Sequence, residues 1–516
     1  MKQRFTYVVK KPESFTPELL EVAKEGSKDV FELRDVQAAK EHRITLGLGE
    51  LPSELSAALQ QWHELHIRWA SPSPYKSTPP FTSRVSPGLH VLFTPLKSTP
   101  SQALCEQLHA FIDAGLNCSS AGESSIKLPI LSERFSMSAS SQYYAYLPSI
   151  KDMATVMGQR FCRTMGQNCL SHYLSLSTAT YMDIDYDTIS GALVINAGWP
   201  SAPSDDGWTE TITRKPSDGT VEIGVLMHEP NPDPEDVQFG GFLTVLGQDL
   251  KPKSTRFQTP TRHYPLLSPS TSSSDPPQPH PLTYTTSFQH PTGLHPTLTL
   301  SFPSAHLTPP NPTCKLHAHL TLPSYLFIDK YQFTDPLFLS SKNLVSLRSL
   351  AGATDLEAPD WVIKEWGSAA LFELGHPDPS SFAQRGAKEF NVSIPMHLRY
   401  LPASPASHTR LPLPWPVVFW VCRADEGAKM AANPFDRTHL GYEALFGPKT
   451  RFMHVEPAAK ASGELVEWID VPVLDLRGTQ WVEWGTVGMV VGAFLGLCWV
   501  LFGRGAGRVE KDKKEQ

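Results

Sequence analysis

The chain has 516 residues, a formal charge of −7, 19% charged residues and 47 prolines. A charge so small and mixed excludes the basic footprint of a nucleic-acid-binding surface, and proline at this density excludes a helical bundle. With 40% hydrophobic residues the chain can build cores rather than remain disordered.

The opening, MKQRFTYVVKKPESFTPE, carries early positive charge but no long apolar run and no small-residue cleavage site, so it does not read as a signal peptide. Helical spacing is predicted over Ser53–Leu65 (SELSAALQQWHEL, behind a serine cap), Ser101–Ala114 and Asp152–Met165. Elsewhere the apolar segments are short, alternate with period two, and end at Pro, Ser, Gly or Asp. They include His90–Phe93, Gly191–Asn196, Thr283–Phe288, Thr297–Phe302, Lys315–Leu322 and Val392–Leu401. This pattern predicts a mainly β chain of antiparallel, sandwich-like domains with a few short helices. Ser268–Pro281 (SPSTSSSDPPQPHP) cannot build a core and reads as a linker. It separates a region at 1–267 from one at 283–478, each long enough for its own core.

Several residues invite chemical readings. Asp183, Asp185 and Asp187 alternate along one predicted strand, so they share a face and resemble the divalent-cation motif of nucleotide-sugar glycosyltransferases. A solvated or edge-protecting strand face is the plainer reading, because no phosphate-binding loop accompanies them. His317 and His319 also share a face but lack further ligands at fixed spacing, and read as structural histidines. There is no HExxH motif and no G-x-S-x-G elbow. No catalytic, cofactor-binding or metal-ligating residues are assigned, and no cofactor is expected. Outside the membrane segment the cysteines are Cys105, Cys118, Cys162, Cys169, Cys314 and Cys422, an even number open to disulfides in an oxidising compartment or to buried thiols. Asn117-Cys118-Ser119 and Asn391-Val392-Ser393 are glycosylation acceptors, whereas proline excludes Asn311-Pro312-Thr313.

From Trp484 to Gly503 there is no charged residue, and a helix of that length spans about 30 Å, the hydrocarbon thickness of a bilayer. Gly488, Gly492 and Gly496 recur every fourth residue, the pattern that lets membrane helices approach closely. Trp481, Trp484 and Trp499 lie near the two expected interfaces. The tail 504–516 holds five Lys/Arg, while the 15 residues before the span hold only Arg477. Positive residues stay cytosolic, so the bulk of the chain is expected in a lumen. Lys513 and Lys514, third and fourth from the end, have the spacing of a dilysine retrieval signal of the endoplasmic reticulum.

Ten stretches together resemble one family. They are ELHIRWA (64–70), SRVSPGLH (83–90), ERFSMSASSQYY (133–144), DIDYDTIS (183–190), PTGLHP (291–296), DKYQ (329–332), DLEAPDW (355–361), IPMHLRY (394–400), PWPVVFWVC (414–422) and NPFDRTHLGYEALFGP (433–448). The chain resembles the PIG-X family in its fungal, protease B non-derepressible branch. Residues 283–502 look like the domain common to the family, and the first half looks like the fungal extension. The resemblance implies a single-span, glycosylated, lumenal, non-catalytic subunit of glycosylphosphatidylinositol mannosyltransferase I. Its implied partner is a polytopic, PIG-M-type catalytic subunit. That enzyme transfers the first, α-1,4-linked mannose from dolichyl-phosphate-mannose to glucosaminyl-(acyl)phosphatidylinositol in the endoplasmic reticulum membrane. A general lumenal folding factor is a second reading, and a glycosyltransferase using Asp183, Asp185 and Asp187 a third.

Overall fold

The computed structural model describes residues 1–96, 103–129, 139–161, 175–216, 218–231, 236–265, 282–290, 292–304, 307–377, 388–424, 433, 435–458 and 463–503. The Ser/Pro-rich stretch 268–281, Cys162, Cys169 and the tail with Lys513 and Lys514 lie outside them.

The chain is mainly β, as its period-two patterning predicts, with one long apolar helix at its C-terminal end. The first half builds an eleven-stranded sheet. Its middle runs Lys2–Val9, Ala38–Gly47, Ala192–Trp199, Tyr181–Asp187, Trp62–Ala70 and Gly88–Pro95 in spatial order. Strand alternation gives this sheet two different faces. Leu65, Ile67, Trp69, Met182, Tyr186, Leu193 and Ile195 point to one side, into a core shared with helices Ala103–Phe111 and Lys151–Phe161. The strands Leu20–Glu25, Lys28–Val36 and Trp208–Arg214 form a small second sheet over the same core. The opposite face carries Glu64, His66, Arg68, Asp183 and Asp185.

The second half is a sandwich. A six-stranded sheet (His263–Pro265, Thr450–His454, Val417–Arg423, Lys315–Pro323, Gly367–Leu374, Leu344–Gly352) faces a four-stranded one (Glu389–Pro395, Thr297–Pro303, Thr283–Phe288, Glu456–Pro457). Leu316, Ala318, Leu320 and Leu322 from the first meet Leu298, Leu300, Phe302, Val392 and Ile394 from the second in one apolar core. His317 and His319 alternate with these leucines and so point to the other side, towards the first half. The strand His263–Pro265, which precedes the Ser/Pro-rich stretch, pairs in parallel with Thr450–His454, which follows it.

Three details depart from expectation. The helix predicted over Ser53–Leu65 stops at Leu59, and no side chain caps its start. Trp62–Ala70 is a strand, because Glu64–Trp69 alternates polar and apolar residues beyond an irregularity between Trp62 and Glu64, and its apolar residues are drawn into the sheet core. Val392–Leu401 divides into the strands Glu389–Pro395 and His397–Leu398, broken after Pro395, which cannot donate to a ladder. The sheets are not wholly antiparallel. Besides the pairing at His263–Pro265, Lys2–Val9 lies parallel to Thr220–Glu229 and Thr283–Tyr284 parallel to Glu456–Pro457.

Two disulfides are present among the described residues, Cys105–Cys118 and Cys314–Cys422. The second closes a loop of sequence separation 108 and ties the start of one central sandwich strand to its neighbour. Replacing Cys314 and Cys422 together by alanine should lower stability by about 2–5 kcal/mol. A denaturant titration followed by tryptophan fluorescence checks this, and an unchanged midpoint would show that the bond constrains nothing.

Candidate functional site

Around Asp183, Arg68 and Glu64 the polar face of the eleven-stranded sheet is buried. It is covered by residues 435–446, FDRTHLGYEALF, which contact both halves of the chain. Apolar residues of this segment dock it on both halves. Phe435 packs with Phe81, Phe239 and Phe257 on the first half. Leu440 and Tyr442 pack with Leu371, Phe419 and Phe452 on the second. Between these anchors, its charged residues meet the strand carboxylates.

Arg437 and Asp183 form the centre. The guanidinium donates through Nε and Nη2 to the two oxygens of Asp183, both at 2.7 Å, with side chains 6% and 3% exposed. Its plane lies over the Tyr181 ring at 4.7 Å. Burial disfavours the charged guanidinium, but Asp183 outweighs it and holds the Arg437 pKa above its ordinary value. Two residues along the strand, Asp185 accepts from Arg68 Nη2 at 2.6 Å and pairs with His66 Nδ1 at 2.8 Å. Burial pushes the Asp185 carboxyl upward; Arg68 and His66 outweigh it and hold the group well below the usual carboxylate range. Arg68 also donates from Nε and Nη2 to the Thr438 carbonyl at 2.9 and 2.6 Å, reaching back into the covering segment.

Glu64 continues the row. Its Oε1 accepts from Thr94 Oγ1 at 2.6 Å, and its Oε2 lies 3.4 Å from His66 Nε2. The His66 ring stacks on His439 with centroids 3.6 Å apart. Further along the covering segment, Glu443 pairs with His263 Nε2 at 2.7 Å, and the other nitrogen of His263 meets His454 Nε2 at 3.0 Å. Burial raises the Glu443 carboxyl, but the His263 bond and charge prevail and bring it down to about 2. Asp436 accepts from Thr261 Oγ1 at 2.6 Å. Five of the stretches that carried the family resemblance thus converge here, at 64–70, 83–90, 183–190, 414–422 and 433–448.

The structure brings two of the three alternating aspartates into this seam and leaves the third outside it. Asp183 and Asp185 are engaged by arginines. Asp187 accepts from the backbone N–H groups of Ile189 and Ser190 at 2.9 and 2.7 Å and shapes a turn. His317 and His319 are buried beside the same segment, against Phe446 and Tyr442 with centroids at 5.3 and 5.4 Å. Desolvation lowers them to about 4 and about 3, so both are neutral packing groups at physiological pH. Sequence reading missed Arg437 as the partner of Asp183, and His439 and Glu443 as the neighbours of His66 and His263. Their only local signal was the density of charge inside an otherwise apolar stretch.

The remaining predicted sites are at the surface. Asn117 and Asn391 are both exposed, Asn391 on the outward side of strand Glu389–Pro395. Gly488, Gly492 and Gly496 lie on the helix Thr479–Cys498, with open space where a Cβ would sit. The span Leu476–Phe502 is long and apolar enough to cross a membrane, and none of its most apolar stretch is buried within the chain.

Comparison with known proteins places these features in one lineage. The family model PIG-X / PBN1 matches residues 291–502. The chain is 44% identical to Protein pbn1 of Emericella nidulans, over 97% of this chain and 95% of that protein. It is 42% identical to Protein pbn1 of Aspergillus oryzae, over 98% and 96%, and 37% identical to Protein pbn1 of Neurospora crassa, over 98% and 95%.

Two outcomes test the seam. Asp183→Asn leaves the Arg437 charge buried without its counterion and should cost about 3–5 kcal/mol, against about 1 kcal/mol or less for Asp187→Asn at its exposed turn. Thermal melts of the two variants check the contrast; equal losses would refute the central role of the pair. Glu41, buried on the same sheet face, is pushed up to about 7, chiefly by desolvation. A carboxyl raised on folding favours the folded state below its unfolded pKa, and that contribution is lost as pH rises through 7. Wild-type stability should therefore fall between about pH 4.5 and 7, by about 3 kcal/mol from this group. Glu41→Gln should flatten that slope in denaturant titrations across the range, and a slope identical to wild type would reject the assignment.

Proposed function

The chain belongs to the PIG-X/PBN1 family, and from that premise we propose that it is a non-catalytic, stabilising subunit of glycosylphosphatidylinositol mannosyltransferase I. In this reading it resides in the endoplasmic reticulum membrane with its β body in the lumen and its tail in the cytosol. It holds a polytopic, PIG-M-type catalytic subunit that adds the first mannose to the glycolipid.

The membrane helix is the observation that carries the reading. It packs against nothing else in the described chain, yet presents glycines at 488, 492 and 496 with open space over each. An anchor alone needs only apolar length, whereas a small-residue face suits close packing against another helix. The donor and acceptor of this reaction are both lipid-borne, so their site belongs within or beside several membrane spans, which one helix cannot build. The buried carboxylates that resemble catalytic apparatus are engaged by Arg437, Arg68 and His263, which favours a structural role for them. The charge asymmetry across the span, the exposed Asn117 and Asn391 and the terminal lysines support the assigned side of the membrane.

Gly492→Leu should fill the open face and reduce recovery of the catalytic subunit in co-purification by at least several-fold, without altering the melting transition of the β body. Depletion of the whole chain should lower the abundance of the catalytic subunit. Undiminished co-purification rejects the helix contact; a catalytic subunit that stays abundant and active without this chain rejects the proposal.

A further inference from the structure

Glu64, His66 and His439 place ligand-type atoms within 4.8 Å of one another at the edge of the seam. We propose that these three side chains form a binding site for a single divalent transition ion of the zinc class, clamping the first half of the chain to the covering segment.

The spacing is the first argument. His66 Nε2 and Glu64 Oε2 are 3.4 Å apart. A charged hydrogen bond between such groups closes to about 2.7–2.9 Å. Two ligands on one tetrahedral ion, with bonds of about 2.0–2.1 Å, stand about 3.4 Å apart. The outer contacts are the second argument. The other nitrogen of His66 pairs with Asp185 at 2.8 Å, and Asp185 is itself fixed by Arg68 at 2.6 Å. This is the carboxylate–histidine arrangement that orients a ring nitrogen towards a metal. The second oxygen of Glu64 is likewise held, by Thr94 at 2.6 Å. Two ligands are therefore supported from behind by groups that do not themselves face the ion.

His439 supplies the third ligand from the opposite half. Its backbone adopts φ 57°, a left-handed conformation that a residue with a Cβ rarely occupies without a local reason, and its side chain is partly exposed. Its ring stacks on His66 at 3.6 Å. Because lone pairs lie in the ring plane, ligation requires His439 to rotate out of that stack. One Glu and two His leave a fourth position for water or for a group from a partner. Imidazole nitrogens with a single carboxylate select zinc-class ions over calcium or magnesium, which prefer all-oxygen shells.

The test uses the full-length chain in detergent, purified without a histidine tag, with Co2+ as probe and Zn2+ as competitor. Expected are one Co2+ per chain with intense visible absorption of a tetrahedral site, displacement by Zn2+, and a Zn2+-dependent rise in melting temperature. Glu64→Gln and His439→Ala should each weaken binding by more than the roughly 10–100-fold that loss of an outer contact costs, whereas exposed His408→Ala should not change it. His439→Ala decides the matter if Glu64→Gln does not fold. Absence of stoichiometric uptake by the wild type, or His439→Ala binding as tightly as wild type, overturns the proposal.

Discussion

A buried guanidinium and a buried carboxylate, 254 residues apart in sequence, fix how the two halves of this chain meet. Arg437 and Asp183 are each costly to remove from water, and the next cation to Asp183, Arg68 at 3.9 Å, is itself bonded to Asp185. Attraction at two bonds of 2.7 Å offsets the loss of hydration only when both residues arrive together. The pair is thus weak as a source of net stability and strong as a condition on geometry. A sheet face bearing Glu64, His66, Arg68, Asp183 and Asp185 has no apolar alternative to hide against, so it accepts only a surface that returns matching charge.

That condition explains why the covering segment is so mixed in composition. Phe435, Leu440 and Tyr442 supply the burial that holds it down, and Arg437, His439 and Glu443 answer the charges beneath. The strand His263–Pro265 reinforces the union by pairing within the sandwich, where its neighbour across the seam is Glu443. The two β regions therefore behave as one body rather than as beads on a string. For a protein proposed to hold a membrane enzyme, such rigidity means that a partner contacting either half is restrained by both.

Much of this was legible in the residues. Thr283–Phe288 appears as a strand with the bounds its alternation suggests. The membrane helix follows from a run of apolar length alone. The common face of Asp183, Asp185 and Asp187 follows from the two-residue pleat, and the structure keeps it. What the face is for did not follow, since a period locates a side chain without naming what lies opposite. Arg437 is remote in sequence, and only the fold brings it to Asp183. The shortening of the first helix was hidden for a related reason. SELSAALQQWHEL satisfies both periods over its last residues, and the pull of the sheet core on Trp62 and Leu65 settles the choice. The opening strand Lys2–Val9 lies inside the large sheet, although Lys2, Gln3 and Arg4 interrupt the alternation that would mark a strand.

The join between body and helix is short. The last strand ends at Pro472 and the helix begins at Thr479. Six intervening residues reach at most about 20 Å, even if fully drawn out, and these are not free to extend. Val473 and Leu474 bond to Ser407 and Ser404, Leu476 returns to Ser404, and Asp475 caps the turn that starts the helix. There is no stalk on which the body can swivel. Any tilt imposed on the helix by its surroundings is passed as leverage to a β mass many times its size, so in the proposed membrane setting the bilayer itself would set the height and bearing at which that mass meets its neighbours.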